Sequence, residues 1–214
     1  MKRLFLVRHG LSVANREHIV QGQTDYPLSE EGRIQSRKLA EYLSTSIDSP
    51  AAILSSSLMR ARETAEILAQ QFGGKVEYDE IWMERRLGKA QGLNYETVRS
   101  WYASDGVPSP YEPIHGDGES WLELFIRAGH ALLTLMNRPA GTYIVVSHGG
   151  FLNAILRAIL GLAPHGGRTF PPKFVFENTG FAQVEYDEVY ASWQIVRLNA
   201  TPHLEEETSQ SACT

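Results

Sequence analysis

The sequence predicts an α/β protein: a three-layer α/β/α sandwich with a mostly parallel central sheet, an antiparallel edge hairpin and a small cap insert of helices and loops. Three observations carry this. Short unbroken apolar runs at residues 4–7, 51–54 and 142–147 read as strands covered on both faces, as in parallel sheets, although periodicity alone does not separate such a run from a buried helix. Amphipathic helical patterns alternate with these runs. Residues 180–186 and 191–198 alternate apolar and polar around Asp187-Glu188, the pattern of an edge hairpin.

The first run ends in Arg8-His9-Gly10, so a cation and an imidazole stand at the carboxyl end of a central strand, where open α/β sheets bind ligands. Taken alone, these residues are better read as a surface Arg-His pair at a strand end. Residues 11–27 are polar and glycine-containing and read as a long loop, with or without a short helix. Asn15, Gln21, Gly22, Gln23 and Asp25 lie here, and singly each is a common turn former. Ser29 is the expected N-cap of a helix that has Glu30 and Glu31 in its first turn, Ile34, Leu39, Tyr42, Leu43 and Ile47 inward, and an end before Pro50. After the second run, the serines at 55–57 form a turn and capping cluster. A helix follows with Arg60 in its first turn, Ala61, Ala65, Leu68, Ala69 and Phe72 inward, and Gly73-Gly74 at its end. Residues 75–78 are a short third strand. Residues 80–118, aromatic and proline-containing, form the cap. A helix over 119–137 precedes the clearest strand, which delivers His148-Gly149-Gly150 into a helix stopped by Gly161. Glycines and free N–H groups at a helix start make an anion site.

The chain has 214 residues, 43% of them hydrophobic and 21% charged, which suits one globular domain, expected over 1–204, with a polar, disordered tail over 205–214. The net charge of −5 argues against a nucleic-acid partner. Cys213 is the single cysteine, so no internal disulfide can form, which fits a reducing compartment. Lys2 and Arg3 precede only four apolar residues, short of a secretory leader, and no run approaches the ~20 apolar residues of a membrane span. A cytoplasmic location is expected, with no membrane contact.

Three crossings from strand to helix bring Arg8, His9, Arg60 and His148 to one side of the sheet. Two guanidiniums and two imidazoles suit a dianionic phosphoryl group, because arginine pairs bidentately with phosphate and never loses its charge. A histidine among them serves as nucleophile when neutral.

These residues resemble the histidine phosphatase (phosphoglycerate mutase-like) superfamily. The resemblance runs through Leu6-Val7-Arg8-His9-Gly10 with Asn15, Gln21-Gly22 with Asp25, Pro27-Leu28-Ser29, Ser55-Ser56 with Arg60-Ala61 and Thr64-Ala65. It continues through Glu84 with Gly88 and Gly92, Gly118-Glu119-Ser120, Val146-Ser147-His148-Gly149-Gly150, Asn178-Thr179, Arg197-Leu198-Asn199 and His203-Leu204. It implies that His9 attacks phosphorus and becomes a phosphohistidine, and that Arg8, Arg60 and His148 grip the non-bridging oxygens. Glu84 protonates the leaving oxygen and later takes a proton from water. Asn15, Ser12, Gln21, Gly22, Arg85 and Gly149 contact phosphate or substrate. A free glutamate has a pKa of about 4.3, so Glu84 needs apolar neighbours such as Trp82 or Met83, or the incoming phosphate, to raise it. Without the family spacing, Glu84 reads as a surface ion pair with Arg85 or Arg86.

Mutases of the family carry Glu-Arg-x-Tyr-Gly, a nearby lysine and an Arg-Arg pair. Here Leu87 replaces the tyrosine, Tyr95 stands at the lysine, and residues 96–118 contain no Arg-Arg pair. Leu11 replaces the usual acidic or amide residue. Hydrolysis is therefore favoured: a metal-independent phosphomonoesterase of the histidine acid phosphatase type, acting on a small phosphorylated metabolite. No cofactor is expected; 2,3-bisphosphoglycerate would be needed only by a mutase. No metal is expected either, since no H-E-x-x-H or H-x-H spacing occurs and two arginines repel a dication. A non-catalytic phospholigand-binding module on the same fold is the other alternative, and a homodimer is an open expectation. Arg85 and Arg86 leave room for a second anionic group. Trp82, Tyr95, Trp101 and Trp121 either line a leaving-group pocket or lie in the core. His18, His115, His130, His165 and His203 are expected to have no catalytic role, His115 least securely.

Overall fold

The computed structural model describes residues 1–105, 108–165 and 173–205. One six-stranded sheet runs in the order β3-β2-β4-β1-β5-β6. The strands are β1 (Lys2–Arg8), β2 (Ala52–Ser55), β3 (Val76–Tyr78), β4 (Gly141–Ser147), β5 (Phe181–Asp187) and β6 (Ser192–Ala200). The first four are mutually parallel; β5 pairs antiparallel with β1 and with β6, so the hairpin closes one edge. The helices are α1 (Val13–Arg16), α2 (Glu30–Ser44), α3 (Met59–Phe72), α4 (Tyr95–Asp105), α5 (Trp121–Met136) and α6 (Gly149–Ile159).

The alternation of side chains along β1 makes the three layers. Leu4 and Leu6 pack with Tyr143 and Val145 of β4 against α5 and α6, while Phe5 and Val7 pack with Ile144 and Val146 against α2 and α3. Both faces are apolar because both are covered, which is why the strands read as unbroken runs. Parallel register then aligns the strand ends. Arg8 pairs with Ser147 and Ser55 with Val146, so Arg8-His9, Ser56 and His148 all emerge at one edge of the sheet. Gly10 is required there: a Cβ would lie 2.5 Å from the Gly32 carbonyl of α2 and 2.8 Å from the Ser36 hydroxyl.

Several local expectations are corrected. α2 ends at Ser44, and Ile34 is exposed, whereas Ile47 is buried beyond the helix end. The serines at 55–57 supply no N-cap for α3. Leu58 occupies that position, and the loop residue Asp25 accepts from Met59 N at 2.6 Å instead. The helix expected over 119–137 is α5, capped by Ser120 in a reciprocal box with Glu123. The cap region holds two 3₁₀ turns, Glu80–Trp82 and Gly88–Ala90, and α4. It sits on the loop after β1: Val20 N donates to Leu93 O, and Gly92 N to Val20 O. Val20, Ala90 and Val98 form a small core of their own, with Trp101 and Tyr102 packed against it. Trp82 belongs to the main core, edge-on to Phe151. No described helix is long and apolar enough to cross a membrane. Most of the tail, residues 206–214, lies outside the described residues.

Candidate functional site

A cavity of about 720 Å³ opens at the carboxyl edge of the sheet, beneath the cap. Arg8, His9, Asn15, Gln21, Gly22, Arg60, Glu84, Arg85 and Gly149 all line it.

His9 has a defined tautomer. Its Nδ1 lies 2.7 Å from the carbonyl oxygen of Gly10, which can only accept, so Nδ1 carries the proton and Nε2 presents a lone pair. The Nε–H of Arg60 reaches that lone pair at 3.3 Å and also His148 Nδ1 at 3.2 Å. Burial, then the charges of Arg60 and Arg8, push the His9 pKa well below its usual value, so the ring is neutral at neutral pH. His148 is likewise pushed down, by burial first and Arg60 second. Its Nε2–H donates to Ser56 Oγ at 2.8 Å.

The arginines are held by backbone carbonyls. Arg60, 1% exposed, donates to Thr24 O at 3.0 Å and to Gly22 O at 2.8 Å. Arg8 donates to Phe176 O at 2.6 Å. Arg85, 5% exposed, donates through Nε to Glu119 O at 2.7 Å. Burial lowers the pKa of Arg60 and of Arg85 to about 10, which leaves both charged. None of the three forms an ion pair among the described residues. Taking guanidiniums out of water is costly, and Glu84, whose charge acts on all three, pairs directly with none of them, so this concentration of cations around one hollow suits an anion.

Among the described residues Glu84 forms no ion pair either, against the plain reading of its sequence neighbours. Its carboxylate accepts from Arg85 N at 2.7 Å and from Gly150 N at 3.0 Å. A Cβ on Gly150 would overlap Glu84 Oε1, so the second glycine of the His-Gly-Gly run makes room for this carboxylate. Trp82 does not serve as the apolar neighbour of Glu84, because its ring points into the core.

Two residues expected at the ligand make hydrogen bonds within the protein. His148 is 0% exposed; its Nδ1 shares the Arg60 Nε–H with His9 Nε2, and the two imidazole centroids are 5.1 Å apart. Ser12 is also buried: it caps α1, accepting from Asn15 N at 3.1 Å and donating to Gln21 Oε1 at 2.9 Å. It fixes two residues that do reach the cavity. Arg86 lies outside, donating to Asp117 O. Of the aromatics, Tyr95 and Trp121 line the cavity, while Trp101 stacks edge-on against His115. His115 lines the cavity and meets the Tyr102 hydroxyl at 3.0 Å.

Sequence reasoning missed Arg127, Asn153 and Arg157. Arg127 pairs bidentately with Glu119 at 2.8 and 2.7 Å and donates to the carbonyls of Ile81, Met83 and Glu84, tying down the segment that carries Glu84. Asn153 and Arg157 follow Gly149 at four-residue steps on one face of α6, a periodicity visible in the sequence. Asn178 was noted only as part of a motif. Its side chain donates to His9 O at 3.1 Å, while Thr179, at φ 59°, donates its backbone N–H to the carbonyls of Arg8 and His9. A β-branched residue in that region is strained backbone held at a functional site. Among the described residues, no group of three or more His, Cys, Asp or Glu side chains is placed to hold a metal ion.

A neutral imidazole thus stands among guanidinium cations at the carboxyl edge of a parallel sheet. The chain belongs to the histidine phosphatase superfamily, branch 1, whose family model matches residues 4–201. It is 32% identical to the probable phosphoglycerate mutase GpmB of Photorhabdus laumondii, over 96% of each chain. Among solved structures, it resembles a mycobacterial glucosyl-3-phosphoglycerate phosphatase complexed with VO3 (TM-score 0.78, 27% identity, 94% of this chain and 100% of that one). It also resembles Bacillus stearothermophilus YhfR (TM-score 0.79, 27% identity, 96% and 100%) and a phosphoserine phosphatase of Entamoeba histolytica (TM-score 0.77, 25% identity, 96% and 100%).

Proposed function

We propose that this protein is a metal-independent phosphomonoester hydrolase that works through a phosphohistidine at His9. The observation that carries this reading is the convergence of half-buried Arg8 with buried Arg60 and Arg85, none in a salt bridge among the described residues, on a cavity that His9 lines with the lone pair of Nε2. In the first step Nε2 attacks phosphorus. The P–O bond to the leaving group breaks, and the leaving oxygen takes a proton from Glu84. The imidazole becomes cationic while Nδ1–H stays on Gly10 O. In the second step water attacks phosphorus, Glu84 takes its proton, and the P–N bond breaks to release phosphate and neutral His9. Arg8 and Arg60 stabilise the equatorial oxygens, and the N–H groups that open α6 add fixed donors. His148 keeps Arg60 in place.

The printed names of the structural neighbours, phosphatases for glucosyl-3-phosphoglycerate and phosphoserine, support hydrolysis. The name of the curated relatives supports a second reading, a phosphoglycerate mutase. In that reaction the phosphohistidine would be discharged to a second substrate hydroxyl instead of water. Brief incubation with a ³²P-labelled phosphomonoester should leave an acid-labile, alkali-stable label that His9→Ala lacks. Release of inorganic phosphate from that label supports hydrolysis. Conversion of 3-phosphoglycerate only when 2,3-bisphosphoglycerate is added supports the mutase. Absence of label at several pH values overturns both.

A further inference from the structure

One buried histidine that the proposed mechanism does not use is bonded to a residue that holds the backbone of the nucleophile. We infer that His203 is a positioning residue for His9: through the Thr179 hydroxyl it holds the left-handed turn whose donors fix the His9 carbonyl. Its influence on the reaction passes through the backbone and not through contact with substrate. The inference deepens the reading of His9 as nucleophile and rests on that reading for its effect on rate.

The hydrogen bonds fix which way the protons point. The Thr179 hydroxyl lies 2.6 Å from the carbonyl oxygen of Asn178, which can only accept, so its single proton goes there. It also lies 2.9 Å from His203 Nε2, and with its own proton committed it can only accept from that nitrogen. Burial, then the charge of Lys38, lowers the His203 pKa to about 4, so the ring is neutral and its one proton sits on Nε2. Nδ1 has no hydrogen-bond partner among the described residues. The ring is buried in the 3₁₀ turn Pro202–Leu204, with its centroid 6.2 Å from that of Tyr42 on α2, whose hydroxyl accepts from Arg197 at 2.8 Å.

Thr179 needs such a clamp. It is β-branched, buried and at φ 59°, a conformation that a side chain of this shape keeps only where its surroundings impose it. In that conformation its N–H reaches Arg8 O at 3.1 Å and His9 O at 3.3 Å, and the Asn178 side chain adds a second donor to His9 O at 3.1 Å. The other polar atom of the same peptide, Gly10 N, donates to Thr64 Oγ1 at 3.0 Å. The His9–Gly10 peptide is therefore held from both ends, and the next carbonyl, that of Gly10, holds His9 Nδ1–H at 2.7 Å. A turn that relaxes at Thr179 releases His9 O first, and the direction of the Nε2 lone pair with it.

The test uses the full chain, ¹⁵N NMR of the histidine rings and steady-state kinetics with p-nitrophenyl phosphate. Loss of signals in His9→Ala and in His203→Gln assigns the two rings. In the unaltered protein His203 should be the Nε2–H tautomer and His9 the Nδ1–H tautomer. His203 in the Nδ1–H form overturns the inference, and that measurement stands even if a variant does not fold. His203→Leu removes the donor; it should move the ring signals of His9 and lower kcat about 10- to 100-fold, as for a reacting group displaced by about an ångström. KM should stay within about threefold, because the arginines that bind the anion keep their own carbonyl partners. His203→Gln returns an N–H near the place of Nε2 and should recover kcat to within about threefold of the unaltered protein. A merely structural role would lower Tm in both variants and leave the His9 signals and kcat unchanged below the melting range; that result overturns the inference. So does an equal loss of kcat in both variants. If the unaltered protein shows no turnover while the His9 signals move in His203→Leu, the hydrolase reading fails and the positioning stands; if turnover is present and the His9 signals are unmoved, the reverse follows.

Discussion

Replacing Gly150 with alanine separates the proton-transfer role of Glu84 from the stability of the fold. Gly150 is the second residue of α6 and has an ordinary helical backbone, so alanine there gains about 1 kcal/mol of helix propensity. Its Cβ, however, would overlap the Glu84 carboxylate, the movable end of a flexible side chain. The carboxylate must swing away, giving up the hydrogen bonds from Gly150 N (3.0 Å) and Arg85 N (2.7 Å). At about 1 kcal/mol for each hydrogen bond, the net loss is about 1 kcal/mol, and Tm falls by about 2–4 °C in a domain of this size. A misplaced general acid costs far more in rate, about 10²-fold or greater for an alkyl phosphate, whose leaving oxygen needs the proton. A p-nitrophenyl leaving group needs little help, so its hydrolysis should fall by less than about tenfold. The assay is the ratio of kcat/KM for the two substrates, with Tm recorded alongside. Gly149→Ala is the comparison: its Cβ would meet only the Arg8 side chain, at 3.8 Å, so Glu84 stays and the ratio should stay with it. If Gly150→Ala retains the unaltered protein's alkyl-to-aryl ratio, Glu84 is not the acid.

Other expected outcomes come from the same geometry. His9→Ala should abolish turnover with no loss of fold; residual turnover above about 1% by the same route would refute the nucleophile assignment. Glu84→Gln should slow alkyl phosphates more than aryl phosphates, and equal slowing would count against it. Activity should survive excess EDTA; its loss, restored by a divalent cation, would refute the metal-independent mechanism. Stability should fall on mild acidification. His9 and His148 are held well below the usual histidine pKa, and burial followed by Lys38 lowers His203 to about 4. As pH falls below about 6.5 the unfolded chain takes up protons at these rings and the native protein does not, so native stability drops with pH, by up to about 1.4 kcal/mol per pH unit for each ring. Above that value the three contribute no pH dependence. The urea midpoint should therefore decline between pH 7 and pH 5 with an unchanged m value, and a flat midpoint would show that the rings are protonated in the native state.

Much of the fold was legible because each strand of the sheet's middle is covered twice. β1 and β4 are apolar on both faces through their middles, at 4–7 and 143–146, and glycines follow their ends, so Leu4 to Gly10 and Thr142 to Gly150 announced themselves. Arg8, His9 and Arg60 were legible for the same reason: polar groups directly after such runs, or in a helix's first turn, have little structural reason to be there. The short-range rules were less dependable where a distant residue substituted for a local one. The serines before α3 looked like its cap, but the donor is met by Asp25 from the loop after β1.

The sequence by itself determined the layering, the chain order of the strands and the residues that could meet a phosphoryl group, since these depend on periodicity, backbone conformation and chemical type along the chain. Only the tertiary structure decided who touches the cavity. It set His148 beside both His9 and Arg60, turned Ser12 to capping, and brought Arg85 and Arg157 onto one indole from two separate parts of the chain. Such contacts depend on the angle at which packed elements cross and on which rotamer fills the space. No local pattern encodes either, because both are settled by the competition of all side chains for one volume.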